Sequence, residues 1–301
     1  MNRQFPMIDL SIIIVSYNTK EFLKKCIVSI AENVKSISYE VIVVDNASSD
    51  GSASEMSNLK SKISNLKVIS NKKNVGFSKA NNLGLKASME SRYVLFLNPD
   101  TVVQKQTIGK MIEFMDLHED AGASTCKLVM PNGQIDDASH RGFPTPWNSF
   151  SHFTGLEKLF PKNKLFSGYS LGWMNFDSVH EIDVLAGAFM LVRRKAGKEA
   201  GWWDEDYFFY GEDIDFCYML REKKWKIYYV PNVSIVHYKG VSGGLKNVSK
   251  EITTASEETK KRASKWRFEA MRIFYNKHYK NRYPWIINLF VDLAISLKEK
   301  I

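Results

Sequence analysis

Roughly the first hundred residues alternate short apolar runs with stretches whose apolar residues recur every three or four positions. The runs at 10–15, 41–44, 66–70 and 93–97 are rich in Val, Ile and Leu and lack strict polar alternation. That pattern predicts parallel strands covered on both faces. Between the first two, Phe22, Leu23, Cys26, Ile27 and Ile30 recur on one helical face. Asn18 is the expected N-cap of this helix, with Glu21 three residues on as a variant capping box. A second helix is expected after Asp50-Gly51 and a third over 78–89. The alternation predicts an α/β fold with a doubly wound, mostly parallel sheet flanked by helices, whose ligands bind beyond the carboxyl ends of the strands.

Farther on, the pattern predicts a helix over 106–118, a strand over 124–129 and a turn at Pro131-Asn132-Gly133. Residues 140–180 are rich in aromatics, Gly, Pro and Ser with weak periodicity, and read as an irregular insertion of the kind that forms substrate loops. Regular structure is expected again over 182–192. An acidic-aromatic segment follows at 202–215, then a helix to about Lys223 and strands near 226–229 and 234–237. The expected organisation is one α/β domain over 1–245, with halves near 1–130 and 131–245, and a helical tail over 246–301.

Polar clusters fall where strands are expected to end. Asp45 directly follows a buried strand, where a carboxylate accepts hydrogen bonds from a base or ribose; a turn-starting role is equally open, and Asp50 reads as a helix cap. Asn98-Pro99-Asp100 places a carboxylate just past the fourth strand, suited to a divalent ion, although alone it reads as an ordinary turn. In Tyr207-Phe-Phe-Tyr210-Gly211-Glu212-Asp213-Ile214-Asp215, aromatics precede acids at a helix start. The macrodipole favours such acids by itself, yet the aromatics also shield a carboxylate from water and raise its pKa. Helical spacing puts Asp213 with Phe216, Cys217 and Leu220 on the packed face, and Asp215 about 200° away. Asp213 is therefore the better base. His237, ending a strand before a glycine-rich run, is a metal or diphosphate candidate, and a lone His is more often structural.

The order of these motifs carries a resemblance. Ser11-Ile-Ile-Ile-Val-Ser16-Tyr17-Asn18, Val-Val-Asp45-Asn46-Ala-Ser-Ser-Asp50-Gly51, Asn74-Val-Gly76-Phe77-Ser-Lys79-Ala-Asn81-Asn82-Leu-Gly84, Asn98-Pro99-Asp100 and Gly211-Glu212-Asp213-Ile-Asp215 together resemble family 2 glycosyltransferases of the GT-A fold, and within them the rhamnosyltransferase-like branch. The resemblance spans about residues 10–240. It implies an inverting, metal-dependent transfer of a sugar, dTDP-rhamnose before a UDP-sugar, to a hydroxyl of a glycan or lipid-linked glycan in cell-surface polysaccharide synthesis. Asp45 then contacts the nucleotide base. Ser16, Tyr17 and Asn18 line its pocket, and Gly76, Lys79, Asn81 and Asn98 belong to the nucleotide and diphosphate surface.

The family's usual Asp-x-Asp has Asn98 in its first position here, leaving Asp100 as the carboxylate ligand for Mg²⁺ or Mn²⁺, with His237 as the matching histidine. Asp213 matches the catalytic base. Gly187, Trp203 and Glu212 fall near the donor sugar or acceptor; burial is the plainer expectation for at least one of Trp202 and Trp203.

Composition refines this picture at the tail. The chain carries a formal net charge of +9, and cations crowd its C-terminal segment. Residues 259–282 form a basic helix candidate, broken at Tyr283-Pro284. The apolar run 285–297 that follows is interrupted by Asn288, Asp292 and Ser296 and is too short to span a bilayer. The expectation is peripheral contact with an anionic membrane surface, ahead of packing on the catalytic domain or pairing in a homodimer. Residues 1–9 lack a basic start followed by an apolar stretch, and Cys26, Cys126 and Cys217 are expected as buried free thiols. The expected location is cytoplasmic, at the inner face of the cell membrane. No nucleic-acid motif accompanies the charge, and no Gly-x-Gly-x-x-Gly follows the first strand, which disfavours a nucleic-acid binder and a dehydrogenase. The competing reading is a nucleotide-sugar-binding scaffold without catalysis.

Overall fold

A computed structural model describes residues 7–60, 63–241, 243–244 and 253–300. The first half runs β1 (Ile8–Ser16), α1 (Lys20–Asn33), β2 (Tyr39–Asp45), α2 (Ser52–Lys60), β3 (Leu66–Ser70), α3 (Phe77–Ala87) and β4 (Ser91–Leu97). It continues with β5 (Thr101–Val103), α4 (Thr107–Leu117) and β6 (Ala121–Val129). The second half contains α5 (Pro146–Thr154), α6 (Leu156–Leu159), β7 (His180–Glu181), β8 (Phe189–Arg193), α7 (Arg194–Ala200), α8 (Glu212–Glu222) and β9 (Lys226–His237). The tail forms α9 (Glu257–His278) and α10 (Trp285–Lys300).

One sheet has the order β3-β2-β1-β4-β8-β6-β9-β5, with β7 added on β9. β1 pairs in parallel with β2 and β4, and β2 with β3. β8 enters antiparallel between β4 and β6, so the sheet is mixed. The expected doubly wound arrangement holds, because Leu10, Ile12 and Ile14 pack on one face while Ile13 packs on the other. Two wet-face-free surfaces explain the absence of alternation.

Local differences from the sequence reading have physical causes. Helix α1 is capped at Thr19, not Asn18, and its first free amide, Lys20 N, donates to Asp50 Oδ2 at 2.8 Å. Asn18 is instead left-handed (φ 53°), with Oδ1 accepting from Ser49 N at 2.8 Å. Only Phe189–Arg193 of the segment expected over 182–192 is strand; Val184 makes an isolated bridge to Arg141. The two strands expected near 226–237 are one, because a register shift opposite Cys126 and Lys127 accommodates Pro231. The insertion contains two short helices, and β5 is an added strand whose pairing with β9 sets Thr101 beside His237.

The tail packs on the α/β body. Phe274, Tyr275 and Tyr279 are buried with Tyr207 and Tyr218 in one cluster. Asp215 of α8, itself buried, accepts from His278 Nε2 at 2.6 Å, Lys277 Nζ at 3.0 Å and Tyr207 Oη at 3.2 Å. The boundary expected between 245 and 246 lies outside the described residues. All three cysteines are buried and free, as expected. Among the described residues, no helix is long and apolar enough to cross a membrane.

Gly84 shows how tightly α3 sits on the sheet: a Cβ there would lie 2.6 Å from Ile13 Cγ2 and 3.2 Å from Val44 Cγ2. Gly84→Ala should destabilise the fold by about 1–3 kcal/mol, because overpacking outweighs the helix-propensity gain. A thermal melt reads this, and an unchanged or raised melting temperature would contradict the packing.

Candidate active site

The carboxyl ends of β1, β2 and β4 form one edge. Ser16 and Asp45 are register partners there, and Ser16 Oγ lies 2.9 Å from Thr19 Oγ1. Asp45 is buried; Oδ2 accepts from Ser48 N at 3.2 Å, and Oδ1 has no partner. A buried carboxylate oxygen without a donor is costly unless a ligand supplies one. Next to it, the Asn46 amide ties the following loops together. Nδ2 donates to Asn74 Oδ1 at 2.8 Å and to Gly76 O at 3.2 Å, while Oδ1 accepts from Val75 N at 3.1 Å and Asn71 Nδ2 at 3.0 Å.

Gly76 is left-handed (φ 89°), and a Cβ on it would lie 2.8 Å from Phe208 O. Phe77 N donates to that same oxygen at 2.7 Å. The aromatic segment before α8 is thereby stitched to the Asp45 edge. Two residues of this stretch turn elsewhere. Lys79 Nζ lies 3.4 Å from Glu205 Oε2 on the surface, and buried Asn81 donates to Phe77 O at 3.1 Å within α3.

Tyr17, Asn18 and Ser49 line one side of a cavity of about 240 Å³. Its other side is Thr254, Ala255, Ser256 and Thr259, at the start of α9. No feature of the tail sequence suggested that it reaches this pocket.

Asn98 N donates to Ala188 O at 3.1 Å, which sets Gly187 beside it. Around Gly187 there is room: an added Cβ would be 3.7 Å from the Phe77 ring. Asp100 is buried, 3.5 Å through Oδ1 from His237 Nε2, and its Oδ2 accepts from Val241 N at 3.4 Å. The other imidazole nitrogen, Nδ1, is 2.8 Å from Asp136 Oδ2, and Lys239 Nζ is 2.5 Å from Asp136 Oδ1. Burial by itself would lower the imidazole pKa, but Asp100 and Asp136 outweigh it and push His237 up to about 9. Burial would raise Asp136; His237 and Lys239 prevail and hold it well below the carboxylate range. His237 Nε2 is buried and has no hydrogen-bond partner. Asp136 follows an unremarkable turn, so nothing in the sequence marked it.

Toward the second half, Val241 leads to Gly243, where an added Cβ would meet Tyr210 Oη at 2.5 Å. The Asp100 side thus reaches the same aromatic segment that touches Gly76. Beyond left-handed Tyr210 and Gly211, α8 begins with Glu212 and Asp213. Asp213 is half-buried, with Oδ2 accepting from Arg141 Nη2 at 2.8 Å and Oδ1 from Ile214 N at 2.9 Å. Desolvation would lower Arg141, but Asp213 and Tyr169 raise it. The rise expected from burial falls on Glu212: burial pushes its carboxyl up, Asp213's charge adds to that, and Arg141 opposes it. Its Oε2 is buried without a partner. Asp215, expected on the opposite face from the packing, is buried as well, because α9 covers that face.

Trp203 is placed in the core rather than at a sugar. It is buried, stacked on Phe216 at 5.3 Å and edge-on to Phe96 at 4.8 Å, so its ring faces are occupied.

Residues 11–183 match the family model for glycosyl transferase family 2, more than half of the chain. The chain belongs to glycosyltransferase family 2. Over 235 residues it is 28% identical to rhamnosyltransferase WbbL of Escherichia coli K12, covering 75% of this chain and 82% of that one. Over 245 residues it is 25% identical to the N-acetylglucosaminyl-diphospho-decaprenol L-rhamnosyltransferase of Mycobacterium tuberculosis H37Rv, covering 78% of each. Among solved structures, residues 1–349 of Staphylococcus aureus TarS in complex with UDP give a TM-score of 0.53 at 18% identity, over 88% of this chain and 65% of that one. The mannosyltransferase PcManGT of Pyrobaculum calidifontis, in complex with GDP-Man and Mn²⁺, gives 0.58 at 14% identity, over 90% and 65%. At these identities the two structures show the shared fold.

Two expected outcomes follow from the site's electrostatics. Above the ordinary glutamate value of 4.5, the folded chain keeps a proton on Glu212 that the unfolded chain releases, so this group lowers stability as pH rises. Glu212→Gln should flatten that slope in urea midpoints measured across pH, and parallel slopes for both chains would refute it. Asp136→Ala leaves His237 and Lys239 without their buried partner and should cost about 3–5 kcal/mol, read by urea unfolding; a loss under about 1 kcal/mol would mean that this pair is not held by Asp136.

Proposed function

We propose that this family member is an inverting glycosyltransferase that moves a sugar, dTDP-rhamnose being the first donor to test and a UDP-sugar the next, onto a hydroxyl of a glycan or lipid-linked glycan in cell-surface polysaccharide synthesis. The observation that carries this reading is the placement of Asp213. It begins α8, half-buried against Arg141, in a segment bonded to the edge that holds Asp45 and adjoining the Asp100–His237 pair.

Each residue then has a chemical task. Asp45 Oδ1, buried without a donor, is fitted to accept from a nucleobase or ribose, with Ser16, Tyr17 and Asn18 around it. Gly76, packed on Phe208 where a side chain would stand, holds its loop beside Asp45 for the diphosphate surface, with Asn98 at the same edge. Asp213 accepts the proton of the acceptor hydroxyl as its oxygen attacks the anomeric carbon from the face opposite the diphosphate. Arg141 holds the carboxylate in place through one oxygen. Glu212 beside Asp213 and Gly187 beside Asn98 are the residues we assign to contact the reacting sugars.

A divalent ion, Mg²⁺ or Mn²⁺, fits the residues present. His237 Nε2 is buried without a hydrogen bond, 3.5 Å from Asp100 Oδ1, and with an ion bound Asp136 would hold the proton on Nδ1 and leave Nε2 to coordinate. Among the described residues no three His, Cys, Asp or Glu side chains are arranged to hold a metal ion by themselves, so the remaining ligands would come from diphosphate and water. Such an ion neutralises charge on a leaving diphosphate.

Asn98, where the family's motif has an acid, favours a second reading: a sugar-nucleotide-binding scaffold without catalysis. One pair of measurements separates them. Asp213→Asn should cut transfer by about 10²–10⁴ while a donor with Mg²⁺ or Mn²⁺ still raises the melting temperature. Near-normal turnover in that variant removes Asp213 from the role, and donor binding with no turnover in the native chain establishes the scaffold.

A further inference from the structure

The largest anomaly of the molecule lies on its surface. Helix α10 contains no buried residue. Its inner side, with Ile287, Asn288, Val291 and Ile295, rests half-buried on α9, fixed where Tyr275 Oη donates to Asn288 Oδ1 at 2.6 Å. Its outer side is apolar. Trp285, Ile286, Leu289, Phe290, Leu293 and Leu297 are all exposed, Trp285 to 74% and Phe290 to 62%. At 100° per residue they occupy about 140° of arc, one continuous face.

A second exposed apolar surface adjoins it. Trp147, Phe150 and Phe153 line one side of α5, and Phe160 follows α6, all exposed. The join is direct: Lys298 Nζ near the end of α10 lies 5.4 Å from the centre of the Phe153 ring. Apolar surface of this extent marks an interaction site.

Charge selects the occupant. Lys158, Lys162 and Lys164 border the α5–α6 side, and Lys298 and Lys300 the end of α10, all exposed. The acids nearby are fewer: Glu157 is buried on His152, Glu299 pairs with Arg272 at 2.6 Å, and Asp292 is exposed at the edge of the α10 face. A second copy of a chain with net charge +9 would bring the same cations to the same face. An anionic bilayer complements both the lysines and the apolar face. Helix α9 presents no exposed large apolar side chain, and its Lys260, Arg262 and Lys277 are drawn into pairs with Glu257, Glu258 and Asp204, so the apolar face belongs to α10 and the α5–α6 side.

We propose that α10 and the α5–α6 insertion form one docking plane for an anionic lipid surface, with α10 lying along the interface. This places the reacting site close to the bilayer. Arg141, which holds Asp213, precedes Trp147 by six residues, at most about 20 Å of chain. The tie to a lipid-linked acceptor rests on the transferase reading; the docking itself does not.

The test is flotation of the full chain with phosphatidylcholine vesicles, with and without phosphatidylglycerol, at low and high salt. The native chain should float with the anionic vesicles and weakly with the neutral ones, and salt should weaken the difference. Phe290→Ser/Leu293→Ser on α10 and Phe150→Ser/Phe153→Ser on α5 should each reduce the bound fraction about tenfold or more. All four side chains are solvent-exposed, so melting temperatures should stay near native, which separates lost docking from lost folding. Equal binding to both vesicle types overturns the proposal. So does native binding by the α5 variant, which would leave α10 alone, or a dimer by light scattering that ignores vesicles. Transfer to a soluble acceptor without vesicle binding sinks only the docking plane; vesicle binding without transfer sinks only the transferase reading.

Discussion

Burial of both faces of β1, β2 and β4 is the constraint on which the rest depends. A strand with no wet face has little room mid-length for polar side chains, so polar groups gather toward its ends, Ser11, Glu40 and Ser91 bonded together at the amino side and the candidate site at the carboxyl side. Ser16, Asp45 and the Asn98–Asp100 turn are the residues that emerge there. Asn46 then converts an edge into a site: its amide makes four hydrogen bonds that bring the Asn71–Gly76 loop over Asp45. The missing side chain at Gly76 lets the backbone of Phe208 close the gap to the second half.

Helix α8 is held from two sides. The insertion supplies Arg141 to Asp213, and the tail supplies Lys277 and His278 to Asp215. Three acids crowded into one helical turn repel and are costly to desolvate. The macrodipole at the helix start offsets part of that cost, and Arg141 and Lys277 offset more. Glu212 lacks such a partner for one oxygen, and burial pushes its proton affinity up accordingly. Because α9 both buries Asp215 and walls the Tyr17–Asn18 pocket, the start of the tail is built into the α/β body.

The Asp100–His237–Asp136 chain shows the same logic on the other flank. Pairing of β5 with β9 brings residues far apart in sequence into contact, and Asp136 fixes the ring from behind. A histidine buried between two carboxylates is stabilised by both, and the nitrogen facing Asp100 still makes no hydrogen bond.

The sequence by itself determined what depends on short-range pattern: the buried strands, the intervening helices, the order of the motifs and the family they signal. Apolar periodicity and strand-end acids lie within a few residues of one another, so they are legible without coordinates. Tertiary structure alone decided the partners. Arg141 opens an insertion with no periodicity and Asp136 follows a turn just before it, Lys20 N at the start of α1 finds its acceptor in Asp50 from another loop, and Trp203 goes to the core because Phe96 and Phe216 take its faces. Asp215, read as facing away from the core, is buried because a helix some sixty residues later packs over it. Helical spacing fixes which residues share a face, but only packing fixes what that face meets.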